Sequence, residues 1–248
     1  MSGHLSGVQQ RIRADNPSAL YFHCLGHKLN LVLVNACRVN RTAVAFFNTI
    51  QQLYTFFANP NSHEIFLNIQ NLLGLKAKEI GQVSDTCWAC RWKSVCAVKT
   101  NYGATVKTLA QLSDPTETSF TEAAGLGQHI QTAEFVLTFI IFDDFLCIIH
   151  VAHKALQGSG IIVAKAGATV ERLKVSVGNR RSHKHFRLLY GQAQDTCKTQ
   201  GINMTPLTST GYTVDNRVCS TTTMHVTCKE PATYHFWLNY IIMGNVGG

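Results

Sequence analysis

Charge is scarce in this sequence, and so are the short motifs that name an enzyme. Asp, Glu, Lys and Arg make up only 15% of its 248 residues, against 46% hydrophobic side chains. That balance excludes a chain too polar to collapse, and the length permits a substantial buried core. No Gly-rich phosphate loop, Ser-centred nucleophile elbow or HExxH pair occurs, so residue spacing alone names no enzyme. No self-similarity at solenoid period is found, which sets aside repeat architectures. The opening residues Met1-Ser2-Gly3-His4 lack the basic and then apolar run of a secretory leader. Nine cysteines at irregular spacing are an odd number, which argues against a fully paired disulfide framework. An intracellular, reducing setting is expected, with Cys37, Cys96 and Cys147 as small buried hydrophobes.

What is present is mostly helical pattern. Ala43, Phe46, Phe47, Ile50, Leu53, Tyr54 and Phe57 recur at three- and four-residue spacing from Thr42 onward, which predicts an amphipathic helix. Asn59-Pro60 ends it, and Asn61 with Glu64 has capping-box spacing for the next, which runs to Gly74. A third helix is expected after Ser84-Asp85, carrying Trp88, Trp92, Val95, Tyr102, Val106 and Leu109 as far as Asp114-Pro115. Further helices are expected over Thr132 to Leu156, Ile161 to Val177 and Lys184 to Thr199. Near the start, Gly7 to Arg13 reads as a helix broken at Asn16-Pro17. Ala19 to Cys24 is then of strand length, and Lys28 to Cys37 is so apolar that, as a helix, it should be buried on all sides. After Gly201 the sequence is dense in Thr and Ser and reads as a connector, with one apolar turn over Tyr234 to Met243.

The most apolar run, Ala133 to Ala152, is long enough to span a bilayer, but Asp143 and Asp144 sit in its middle. It reads as a core helix with these acids at a polar edge, and no membrane partner is expected. Successive helix residues point about 100° apart, so the two acids are poorly placed to share one metal ion.

Four other features carry chemistry. Cys24-Leu25-Gly26-His27 is a CxxH pair, which supplies only half of a structural zinc site. Cys87-Trp88-Ala89-Cys90 would complete a Cys₃His set only if elements far apart in sequence converge. The basic stretch Arg180-Arg181-Ser182-His183-Lys184-His185, followed by Arg187, has the composition of a phosphate-contacting surface or a nuclear import signal. The formal net charge of +8 fits a nucleic-acid partner as well.

Several blocks then carry a resemblance. Met1-Ser2-Gly3-His4-Leu5-Ser6-Gly7-Val8-Gln9, and Tyr21-Phe22-His23-Cys24-Leu25-Gly26-His27-Lys28-Leu29-Asn30-Leu31-Val32-Leu33, resemble the central block of hAT-superfamily transposases, and of their domesticated, zinc finger MYM-type-like members most of all. Ser84-Asp85-Thr86-Cys87-Trp88 resembles their SDTRW block, and Gly201-Ile202-Asn203 resembles the stretch after their helical insertion.

The resemblance implies an RNase H-like core interrupted by a helical bundle. The fold class it implies is mainly α, with residues 1–40 a truncated α/β RNase H-like core segment, 41–200 the helical insertion domain, and 201–248 the connector and a short terminal helix. The family uses two Asp and one Glu to hold metal ions for phosphoryl chemistry. None of those acids falls on a position of this sequence, so the reading is an internal fragment, with Met1 an internal methionine of the family and no catalytic residue. Cys24 and His27 match the family's C/DxxH motif as structural support, with no metal and no cofactor expected. Trp88 matches the tryptophan that in the family lies near a flipped base. Cys87 stands where the family has Arg, which weakens phosphate contact there.

Three readings remain open at this stage. The first is a non-catalytic, transposase-derived relic or interaction protein. The second is a nucleic-acid-binding module using Trp88, Arg180, Arg181, Lys184 and Arg187, with weak, sequence-independent affinity for DNA. The third is a nuclease whose acids are not recognised. Protein partners are left open, and the import-like basic stretch extends the intracellular expectation to the nucleus.

Overall fold

The computed structural model describes residues 7–19, 25–38, 40–83, 88–158 and 163–204. The chain is mainly helical, and no strand occurs among the described residues. The expected strand over Leu20 to Cys24 and the Thr/Ser-rich connector beyond Met204 lie outside them.

The helices are α1 (Val8–Asp15), α2 (Leu25–Arg38), α3 (Arg41–Phe57), α4 (Pro60–Leu72), α5 (Trp88–Thr100), α6 (Tyr102–Leu112), α7 (Phe120–Ile130), α8 (Ala133–Leu156), α9 (Val163–Arg180) and α10 (His183–Thr199). The long apolar α8 runs through the middle and packs against α2, α3, α5, α7, α9 and α10. Helices α3, α4, α6 and α7 form the neighbouring part of the same core.

Aromatic rings join these parts. Phe142 of α8 stacks on Phe46 at 5.0 Å and lies 4.8 Å from Phe47, while Phe139 meets Tyr102 of α6 at 5.1 Å. Arg91 of α5 places its guanidinium 4.6 Å from the centre of the Phe47 ring, a cation–π contact that lets a buried charge sit in this aromatic layer. Tyr102 donates its hydroxyl to the Ile130 carbonyl at 2.7 Å, which satisfies the buried phenol and ties α6 to the end of α7.

Local chemistry sets the helix ends. Asn40, Asn59, Thr132 and Ser182 each accept from a backbone N–H of the first turn that follows. For α4 the cap is therefore Asn59, with Pro60 at the first helical position, rather than the expected Asn61. Gly74, at φ 65°, ends that helix in the left-handed conformation which glycine adopts without steric cost.

Of the three cysteines expected to be buried only Cys37 is, since Cys96 is half-buried and Cys147 exposed, and three further expectations need correction. The single helix read from after Ser84-Asp85 to Asp114 is two helices, divided at Asn101. The buried Asn101 amide donates to the carbonyls of Lys78 and Ala97, and so holds the irregular segment 75–83 against the break. Helix α7, which was not expected, buries Ala123, Leu126, Gly127 and Ile130 at helical spacing. Finally, α2 is not enclosed. It buries Asn30, Leu33, Val34 and Cys37 while Leu31 and Val32 face solvent. Its neighbours α3, α5 and α8 cover one side of it.

Candidate nucleic-acid interface

The basic stretch forms the corner between α9 and α10. Helix α9 packs on α8 and buries Ala166 and Val177, and the chain turns at Arg181 and Ser182. Ser182 restarts the helix by accepting from the His185 N–H at 3.2 Å. Helix α10 then buries Phe186, Leu189, Tyr190, Ala193 and Cys197. Those anchors fix which side of the corner meets solvent.

At the root of the corner lies an ionic cluster. Arg180 donates from Nε to Asp144 Oδ2 at 2.8 Å, and His185 Nε2 lies 2.9 Å from the same oxygen. The three side chains are only 20–24% exposed. One carboxylate of α8 thus ties down both α9 and α10. The adjacent acid does the same on the other flank, where Lys99 of α5 donates to Asp143 Oδ2 at 2.6 Å. The paired acids face different helices, as the 100° step between neighbouring helix residues requires.

This geometry divides the predicted site residues. Arg180 is half-buried and committed to Asp144 and to the Ser176 carbonyl. Lys184 and Arg187 are exposed and Arg181 is half-buried. Charge is concentrated here. The span from Val163 to Thr199 holds eight of the chain's 22 Lys and Arg residues but only two of its 14 Asp and Glu. Most of the net positive charge therefore belongs to one helical hairpin.

The other predicted residues are not gathered at this corner. Trp88 is the first residue of α5. His27 is exposed in the first turn of α2, where a Cβ on the neighbouring Gly26 would lie 3.5 Å from the side chains of His153 of α8 and of Gln157, the residue that caps α8. Cys24 and Cys87 lie outside the described residues. Among the described residues, no three His, Cys, Asp or Glu side chains are grouped to hold a metal ion.

Sequence reasoning missed a second aromatic feature. Trp92 of α5 stacks on His150 of α8 with ring centres 4.3 Å apart and planes inclined by 22°. Burial, and then the nearby charges of His153, Lys93 and Lys154, pull the His150 pKa below its ordinary value and favour the neutral ring. The indole Nε1 and imidazole Nδ1 are buried without hydrogen-bond partners. Trp92 follows Trp88 by one turn, but nothing in the sequence pairs it with His150. An open groove of about 620 Å³ lies between α6 and α7, lined by Ala110, Ser113, Ala124, Gly127, Gln128 and Gln131. None of these side chains can exchange protons near neutral pH.

No family model matches the sequence, and no solved structure matches it. A functional assignment therefore rests on the residues and their geometry.

Proposed function

We propose that this chain is a transposase-derived helical module that acts by binding and does not cut DNA. The observation that carries the reading is the fate of Asp143 and Asp144. Each is paired with a cation from another helix, which draws the two carboxylates apart instead of leaving them to clamp metal ions. The hAT-like blocks support the descent, and none of that family's three acids maps onto a residue here. On this reading, residues 1–40 are a remnant of the α/β RNase H-like core, and the bundle over 41–200 is the insertion domain. The protein is then a relic or an interaction protein, without a cofactor of its own.

Incubation with hairpin or transposon-end DNA and magnesium or manganese tests the first half of the proposal. No nicking or joining is expected. Metal-dependent nicking abolished by a single Asp→Asn change would refute it.

A second reading, a weak and sequence-independent nucleic-acid-binding module, is favoured by the charge gathered on the α9–α10 hairpin. Trp88 belongs to this reading as a stacking residue. Trp88→Ala should then weaken binding to single-stranded or hairpin DNA more than to plain duplex, because stacking needs an unpaired base. Equal losses on both substrates would remove Trp88 from the site.

A further inference from the structure

Helix α10 carries two stripes, and only one of them belongs to the core. Phe186, Tyr190, Ala193 and Cys197 recur at intervals of four, three and four residues and are buried. Lys184, Arg187, Gly191, Gln194 and Lys198 recur at intervals of three, four, three and four on the adjacent flank. Both stripes follow the helical repeat, so each runs along one side of the helix. At 1.5 Å per residue the second stripe is about 21 Å long. Its three cations are exposed, and its middle is formed by a glycine and an amide.

Gly191 is informative because packing does not require it. A Cβ built there meets nothing within 4 Å, and its φ is not in the positive range. Glycine in a helix interior costs roughly 0.5–1 kcal/mol relative to alanine. Its absent side chain leaves room for a close approach between the flanking cations.

We infer that this flank of α10, extended by Arg181 at the corner, is a rail for the phosphate backbone of a nucleic acid. The inference rests on the nucleic-acid reading above and places it on specific residues. Lys184, Arg187 and Lys198 contact phosphates, Gly191 lets the backbone approach, and Gln194 donates its amide. Arg180 is a positioning residue that holds the corner through Asp144. An acidic membrane would call for an apolar face beside the cations. The only large apolar side chain exposed on α10 is Leu188. Spaced cations with small polar groups between them suit a polyphosphate chain instead, and the single acid of α10, the exposed Asp195, borders this flank beside Gly191 and Lys198.

The test is fluorescence anisotropy of the full chain against a labelled 20-base-pair duplex and a 20-nucleotide single strand over a range of salt concentrations. The stripe variant is Lys184→Gln/Arg187→Gln/Lys198→Gln, and the charge-matched control is Lys28→Gln/Lys76→Gln/Lys107→Gln. The three control positions lie off the rail, on α2, in the segment 75–83 and on α6, and circular dichroism confirms that both variants fold. With four phosphate contacts, log K for duplex should fall against log salt with a slope of about −3.6, and the stripe variant should lose about 2.7 of it. For a single strand the slope is about −2.8, so the two arms tell the sources of phosphate apart. The stripe variant should bind at least about tenfold more weakly at low salt, and the control less than about threefold more weakly. Equal losses in the two variants would overturn the rail and leave a diffuse charge effect. Absence of binding to either nucleic acid at low salt, or binding only to phosphatidylserine vesicles, would overturn the nucleic-acid reading itself.

Discussion

Neutralising Asp144 separates a structural acid from a metal-binding one by the sign of the change in stability. In a metal site without its ion, neighbouring carboxylates repel, and Asp→Asn relieves the repulsion and stabilises the fold. Here Asp144 receives Arg180 at 2.8 Å and His185 at 2.9 Å, with all three side chains about three-quarters removed from solvent. Breaking a fully buried pair costs about 3–5 kcal/mol, whereas an exposed pair is worth roughly 0–1 kcal/mol. The partial exposure and the acceptor retained by Asn place Asp144→Asn at about 2 kcal/mol of destabilisation. Asp143→Asn should cost about 0.5 kcal/mol, because its partner Lys99 is 41% exposed. Urea denaturation followed by circular dichroism reads both. With a slope of about 2–3 kcal/mol per molar, the Asp144→Asn midpoint should fall by about 0.7–1 M and that of Asp143→Asn by about 0.2 M. An unchanged or raised midpoint for Asp144→Asn would refute the structural role and return the acid pair to candidacy as a metal site.

Other outcomes follow from the core. Phe142→Ala removes a ring packed against Phe46 and Phe47 and should cost about 3–5 kcal/mol by urea denaturation. Gly74→Ala, at φ 65°, should cost about 1 kcal/mol, because its backbone lies where a side chain is strained although space is open. Burial pushes the Cys37 thiol from 9.0 up to about 12, with Arg91 opposing weakly. The folded protein therefore keeps a proton that the unfolded chain gives up. The contribution of Cys37 should be constant below about pH 9 and be lost between pH 9 and 12, with Tyr102 shifted upward by burial in the same sense. Denaturation midpoints at pH 8 and pH 10.5 check the sign. Cys37 should also resist a thiol reagent at pH 8 until the chain unfolds.

The helices with unbroken apolar stripes were legible in the sequence. In α3, Ala43, Phe46, Phe47, Ile50, Leu53 and Phe57 of the expected stripe are buried, while Tyr54 is half-buried and Phe56, outside that stripe, is buried as well. The single-helix reading across Asn101 failed because apolar residues on its two sides happen to continue the spacing, while the break depends on a loop more than twenty residues upstream. Helix α7 was hidden by its shortness and by Gly125 and Gly127, whose low helical propensity masks the stripe. For α2, apolar content alone does not count the neighbours available, and Leu31 and Val32 have too few. At the site, the run from Arg180 to Arg187 showed where charge is dense. It could not show that Arg180 faces inward, because Asp144 lies 36 residues away in sequence.

The central place of α8 constrains the order in which the molecule can be completed. A nascent chain that has released only α3 to α7 already displays Phe46 and Phe47, but the Phe142 ring that covers them has not yet been made. The first helices must therefore wait as an incompletely covered bundle during synthesis until the segment through Leu156 has left the ribosome.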